Sequence, residues 1–186
     1  MTIKKAVKIK EKDIEEIYEK YKNQIFAYIY LKIRNKEESE DILSKTFIKF
    51  IRYSKKKDIY MESIKPLLYK IASNIIIDHF RKKKIIKILS FNALNSSTEE
   101  EYIEVIQFPS KENIKQQAEL NETIKKINKI VEKLPEKQRE AFYLRFMEGF
   151  SFKEISYIQN TNISTALSRV RYAVDKIKET IKGDFL

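Results

Sequence analysis

The stretch from Leu134 to Ile181 marks its own helix boundaries residue by residue, and that leaves few folds open to the chain. Pro135 suits a first helical position, because its fixed φ matches a helix and its missing N–H would have no intrahelical partner there. Ser151 followed by Glu154 forms a capping box, so a new helix is expected from Phe152. Asn160 falls where a tight turn needs a residue tolerant of left-handed geometry. Asn162 can then cap a last helix running from Ile163 to about Ile181.

That last helix divides into two faces. Ile163, Ala166, Val170, Ala173, Val174 and Ile177 recur at three- and four-residue steps and form one apolar stripe. Ser164, Thr165, Ser168, Arg169, Arg171 and Tyr172 occupy the other face. Small hydroxyls and arginines near a helix start suit a major groove, where the backbone can approach base edges closely. The segment therefore reads as a helix-turn-helix. The same pattern also fits a plain helical hairpin with a solvated basic face.

With only 2 Gly and 3 Pro in 186 residues, of which 42% are apolar, the chain has little loop punctuation and should be mostly helical. The length allows one large domain or two small ones. The absence of Cys excludes disulfides and thiolate metal sites, and a single His excludes most zinc constellations and the usual histidine triad. No cofactor or metal site is expected. No segment reaches the roughly 18 apolar residues of a membrane span, and the basic N-terminus lacks the apolar core of a secretory signal. A soluble, cytoplasmic protein is the expectation.

The net charge of +11 points toward a polyanion, and its distribution is modular. Residues 1–90 carry 23 Lys/Arg against 12 Asp/Glu, residues 91–115 carry 2 against 5, and residues 116–186 carry 13 against 10. In the first module, Ile14, Ile17, Tyr18, Tyr21, Ile25, Tyr28, Ile29 and Leu31 describe an amphipathic helix ending near Arg34. Asn35 and Glu38 start another, carried on by Ile42, Leu43, Thr46, Phe47, Phe50 and Ile51. The run at 54–58 breaks the pattern, and Pro66 is expected to open a third long helix. From 92 to 112 the Asn/Ser/Thr cluster, the acidic run Glu99, Glu100, Glu101 and Glu104, and Pro109 read as a linker. Helical spacing returns over 113–132. The expected domains are thus 1–91 and 113–186.

Residues 53–84 hold a second constellation. Lys55, Lys56 and Lys57, with Tyr53, Ile59, Tyr60 and Met61, precede a helix that ends in Arg81, Lys82, Lys83 and Lys84. Cations attract phosphate, and flat or apolar side chains can hold unstacked bases, each for about 1–3 kcal/mol. A basic run at a helix C-terminus is also stabilising by itself, because it faces the negative end of the dipole. Tyr69 and Phe80 fit a core equally well. His79 fits a packing or hydrogen-bonding role better than a catalytic one.

Taken together, the two halves resemble a bacterial RNA polymerase sigma factor of the extracytoplasmic-function type, in the sigma-70 family. Pro66 to Asn74, continuing through Asp78, His79, Phe80, Arg81 and Lys82, is similar to the WLYRIARN…DxxR stretch of region 2. Glu40, Asp41, Ile42 and Leu43, followed by Thr46 and Phe47, are similar to its EDLxQExF helix. Leu134 to Glu140 and Glu148 to Ile155 resemble the LPxxxRE and EGxSxxEIA signatures of region 4, and Ser164 to Arg169 resembles the end of VGTVKSR. The motifs span about Ile14 to Ile181 in the family's order.

The resemblance implies an all-α fold, with a region 2 bundle and a region 4 helix-turn-helix joined by a flexible acidic linker. It implies a non-enzymatic subunit that binds core RNA polymerase and directs promoter-specific initiation. Glu40, Asp41, Ile42, Thr46, Phe47 and Phe50 would dock on the clamp helices of the largest subunit, with region 4 on the flap. Lys56, Lys57, Tyr60, Met61, Tyr69, Asn74, Asp78, His79, Arg81 and Lys82 would hold the melted minus-ten strand. Arg145, Ser164, Thr165, Leu167, Ser168, Arg169, Arg171 and Tyr172 would read the minus-thirty-five duplex. An anti-sigma factor is a further expected partner, and the free chain is expected to be a monomer. The chain departs from the pattern at Ser44 and Lys45 in place of Gln-Glu, at Asn160 in place of glycine, and at Leu67 in place of an aromatic. It also has Leu167 in place of a basic residue. An exposed Leu167 could touch thymine methyls; it could equally be the edge of the core stripe, four residues from Ile163. The main rival is a helix-turn-helix repressor or activator acting without polymerase. A recombinase would need catalytic groups that 1–115 does not provide.

Overall fold

The computed structural model describes residues 8–89 and 126–183, all helices and short turns, with no extended strand among them. The chain divides into two compact units, Met1–Tyr102 and Ile103–Leu186. The expected linker and the first part of the helix expected over 113–132 lie outside the described residues.

The first unit is a three-helix bundle of α1 (Glu11–Ile33), α2 (Lys36–Ser54) and α3 (Ile64–Leu89), each packed on the other two. Helix α1 ends where Arg34 turns left-handed at φ 55°, its N–H bonded to the Tyr30 carbonyl. Asn35 then caps α2, its Oδ1 accepting from Glu38 N at 2.9 Å. A single 3-10 turn, Met61–Ser63, leads into α3, so that helix begins at Ile64 and Pro66 is its third residue rather than its first. The proline is tolerated there because first-turn N–H groups have no intrahelical acceptor. Ile25, Tyr28, Phe50, Leu68, Tyr69 and Ile76 are fully buried, each worth roughly 1.5–3 kcal/mol of apolar transfer.

The second unit contains α4 (126–132), α5 (Glu136–Phe146), α6 (Phe152–Gln159) and α7 (Ile163–Gly183). Helix α7 packs on both α5 and α6. Pro135 is the N-cap of α5 at φ −52° and ψ 140°, one position before the expected first helical residue. Its carbonyl accepts from Gln138 N and Arg139 N, which ties down the first turn. Leu144, Ile155, Ile158, Ala166 and Ala173 fill the centre, and Val131, Leu134 and Ile177 extend it toward the end of α7. Ile163 departs from the expected stripe and is exposed. At the first position of α7 its side chain leans back over the entering turn, so the buried row begins at Ala166.

Candidate functional site

The turn of the second unit is built from the residues its sequence singles out. Ser151 Oγ accepts from Glu154 N at 3.3 Å, and Glu154 Oε2 accepts from Ser151 N at 2.8 Å. Asn160 is left-handed at φ 52° and ψ 53°. Asn162 Oδ1 accepts from Thr165 N at 2.7 Å and from Ser164 Oγ at 2.8 Å, which caps α7. The preceding turn is braced as well. Gly149 is left-handed at φ 72°, Phe150 N donates to Leu144 O at 3.0 Å, and Tyr143 Oη donates to Glu148 Oε1 at 3.0 Å. Burial first, then the Glu148 charge, pushes the Tyr143 pKa above the usual tyrosine value.

A buried polar network fixes the three helices at one angle. Gln159 Nε2 donates to Glu140 Oε2 at 2.9 Å and to Lys137 O at 3.0 Å, while Arg169 donates to Gln159 Oε1 at 2.8 Å. Glu140 and Gln159 are both buried. The half-buried Arg169 is thereby tied to the scaffold through Gln159. Arg145 is tied to the scaffold in a similar way. It donates to Phe150 O at 2.9 Å and lies 4.9 Å from the Phe152 ring centroid, so it secures the turn between α5 and α6. Neither residue was recognisable as structural from spacing, because an arginine on a polar face reads as solvent-facing until its partner is known.

On α7 an exposed row runs through Ser164, Leu167, Ser168 and Arg171, three, four and seven residues from the first, with Ile163 exposed at its start and Tyr172 beside it. The Arg171 side chain is 81% exposed and Leu167 is 46% exposed. Leu167 is therefore not part of the core. Thr165 is half-buried.

In the first unit, the side chains of Glu40 and Asp41 are exposed at the start of α2, and Asp41 pairs with Lys45. Ile42, Thr46, Phe47 and Phe50 are buried within the bundle, with Ile42 at the floor of a groove. They share one stripe, and the apolar period that suggested docking is the period of the core. Further along α2, Lys45, Ile48, Lys49 and Arg52 face outward. With Ile75, Asp78, His79 and Lys82 of α3 they line a groove of about 420 Å³ over Ile42. Their own helical spacing in the sequence could have revealed this row.

At the other end of α2, Lys55, Lys56 and Lys57 are exposed, and Lys57 Nζ lies 5.7 Å from the Tyr53 ring centroid. Tyr60 at 47% and Met61 at 54% stand open beside them, while Ile59 is buried. Tyr69 is fully buried, its ring 4.9 Å from that of Tyr28, so it belongs to the core and not to the open corner. Along α3, Asn74, Asp78, Arg81 and Lys82 are exposed, and Asp78 accepts from Arg81 at 3.3 Å. His79 faces α2, with Nε2 3.2 Å from Glu38 Oε2, and Lys83 Nζ lies 2.6 Å from Glu38 Oε1. Among the described residues no group of His, Cys, Asp and Glu could hold a metal ion, and no helix is long and apolar enough to cross a membrane.

One unit with a capped helix-turn-helix and another with a cationic, aromatic corner define a two-module DNA-binding protein of the all-α class. Comparison with known proteins narrows this class. Residues 17–85 match the family model for sigma-70 region 2, and residues 124–177 match that for sigma-70 region 4. The RNA polymerase sigma factor SigZ of Bacillus subtilis is 30% identical over 172 residues, covering 92% of this chain and 88% of its own. The ECF sigma factor SigW of the same organism is 29% identical over 189 residues, 98% of each chain. Among solved structures, the sigma factor RpoE in complex with the anti-sigma factor NepR, from Bartonella quintana, has a TM-score of 0.63 at 23% identity, covering 92% of this chain and 98% of that one. CnrH, in complex with the cytosolic domain of CnrY, has a TM-score of 0.56 at 14% identity, covering 94% and 91%.

The chain belongs to the extracytoplasmic-function sigma factors of the sigma-70 family. It directs promoter-specific transcription as a partner of core RNA polymerase, and the free-standing repressor reading is not favoured.

Proposed function

We propose that the two units divide promoter recognition between a melted strand and a duplex, with segments 1–91 and 113–186 as the working modules. The observation that carries this reading is the contrast between their open surfaces. The first unit offers Lys56, Lys57, Tyr60 and Met61 together, a cationic corner with flat and apolar side chains suited to unstacked bases. Asn74, Asp78, Arg81 and Lys82 continue that surface along α3. The second unit offers one regular helical row, Ser164, Leu167, Ser168 and Arg171, of the shape a major groove admits. Opening of the strand is left to the assembled polymerase.

Docking on the clamp helices of the largest subunit falls to the exposed start of α2, at Glu40 and Asp41, with the second unit engaging the flap. Lys45, Lys49 and Arg52 give the remainder of that helix a basic surface, so electrostatic contact with polymerase is concentrated in the first turns. The chain works without catalysis of its own, in the cytoplasm where polymerase is found, and is a monomer when free. The complex of RpoE with an anti-sigma factor supports a comparable partner for this chain.

Retention on immobilised core RNA polymerase tests the docking surface, comparing wild type with Asp41→Lys. The expected result is retention of wild type and loss of at least tenfold in apparent affinity for the variant, since a desolvated charge at a contact is worth a few kcal/mol. Equal retention of both would move the docking surface elsewhere, and absence of any retention would overturn the proposal.

A further inference from the structure

We infer that Leu167 is a specificity-determining residue of the duplex-reading face, and that it recognises a thymine through the C5-methyl group. The inference rests on the assignment of α7 to duplex recognition. The buried row of α7 is Ala166, Val170, Ala173 and Ile177, and Leu167 lies outside it, almost half exposed. The core explanation for this leucine therefore fails. Ile163, one turn earlier, is exposed as well, and Ser164, Ser168 and Arg171 are polar, so Leu167 is the apolar side chain at the centre of the open row.

A leucine neither donates nor accepts a hydrogen bond. Of the groups that base pairs present in the major groove, only the thymine methyl is apolar. The two flanking serines keep the helix surface low, which lets the longer isobutyl group reach the floor of the groove. Its position in the second turn of the helix is where recognition helices touch base edges. Arg169 does not compete for this contact, because it is held by Gln159 at 2.8 Å. Burying one methyl group against a hydrocarbon side chain changes an affinity by about fourfold, and that is the discrimination expected of Leu167.

The test uses the full chain with core RNA polymerase and templates randomised across the minus-thirty-five window. Sequencing of the transcribed templates identifies any preferred thymine, and each thymine is then replaced singly by deoxyuridine, which lacks only the methyl. At limiting wild-type chain, one deoxyuridine should lower initiation about fourfold. With Leu167→Ser, thymine and deoxyuridine at that position should perform equally, while preferences at other positions persist. Leu167 is exposed, so the variant should unfold at the wild-type temperature, which excludes a folding defect. Equal performance of thymine and deoxyuridine everywhere with wild type would overturn the inference, as would an undiminished methyl effect in Leu167→Ser. Transcription stimulated independently of the randomised window would overturn the duplex-reading assignment itself, and the inference with it.

Discussion

Replacing Gln159 with leucine removes three hydrogen bonds at once while nearly conserving side-chain volume. The bonds lost are those to Glu140 at 2.9 Å, to Lys137 O at 3.0 Å and from Arg169 at 2.8 Å. Two of them involve ionised partners, worth about 1.5–3 kcal/mol each, and the third is worth about 1 kcal/mol. Leucine recovers roughly 1.5–3 kcal/mol through apolar burial. The net expectation is a loss of about 3 kcal/mol in the second unit, because the Glu140 carboxylate stays buried with one donor fewer. For a unit of this size that lowers Tm by on the order of 10–20 °C. Thermal unfolding of the full chain, followed by hydrogen exchange, would register it: amides in α5 to α7 should lose protection and those in α1 to α3 should not. A double-mutant cycle with Arg169→Met should return a coupling of at least about 1 kcal/mol. A Tm within about 2 °C of wild type would refute the reasoning.

Two further outcomes are expected. Tyr69→Ala should cost about 3–5 kcal/mol in the first unit, whereas Tyr60→Ala should leave its stability within about 0.5 kcal/mol yet reduce promoter opening, measured by permanganate reactivity of the melted strand. The raised pKa of Tyr143 means that the folded state holds this proton more tightly than the unfolded chain. Its contribution is fully present below about pH 10, the unfolded value, and is lost as pH rises beyond it. Urea titrations from neutral pH to about pH 11 should show this decline, and Tyr143→Phe should make it shallower.

Local chemistry made the second unit legible. Ser151, Asn160 and Asn162 each satisfy a backbone requirement within four residues of themselves, so sequence alone places them. Three kinds of fact resisted that reading. Ile42, Thr46, Phe47 and Phe50 share one stripe, and a stripe has the same period whether it faces a core or a partner. Arg145 and Arg169 find their acceptors at Phe150 and Gln159, and side-chain hydrogen bonding of that kind leaves no periodic trace. Pro66 misled by two residues because prolines are compatible with the whole first turn of a helix, not only its first position.

The most direct measurement is run-off transcription by purified core RNA polymerase, with and without this chain, on a template pool carrying varied sequences upstream of the start site. The account predicts that transcripts appear only when the chain is added. It also predicts that the productive templates share two separated sequence elements, the upstream one altered by Leu167→Ser and the downstream one requiring Tyr60. Stimulation without any shared element would contradict it, as would tight operator binding by the free chain with no stimulation of polymerase at all.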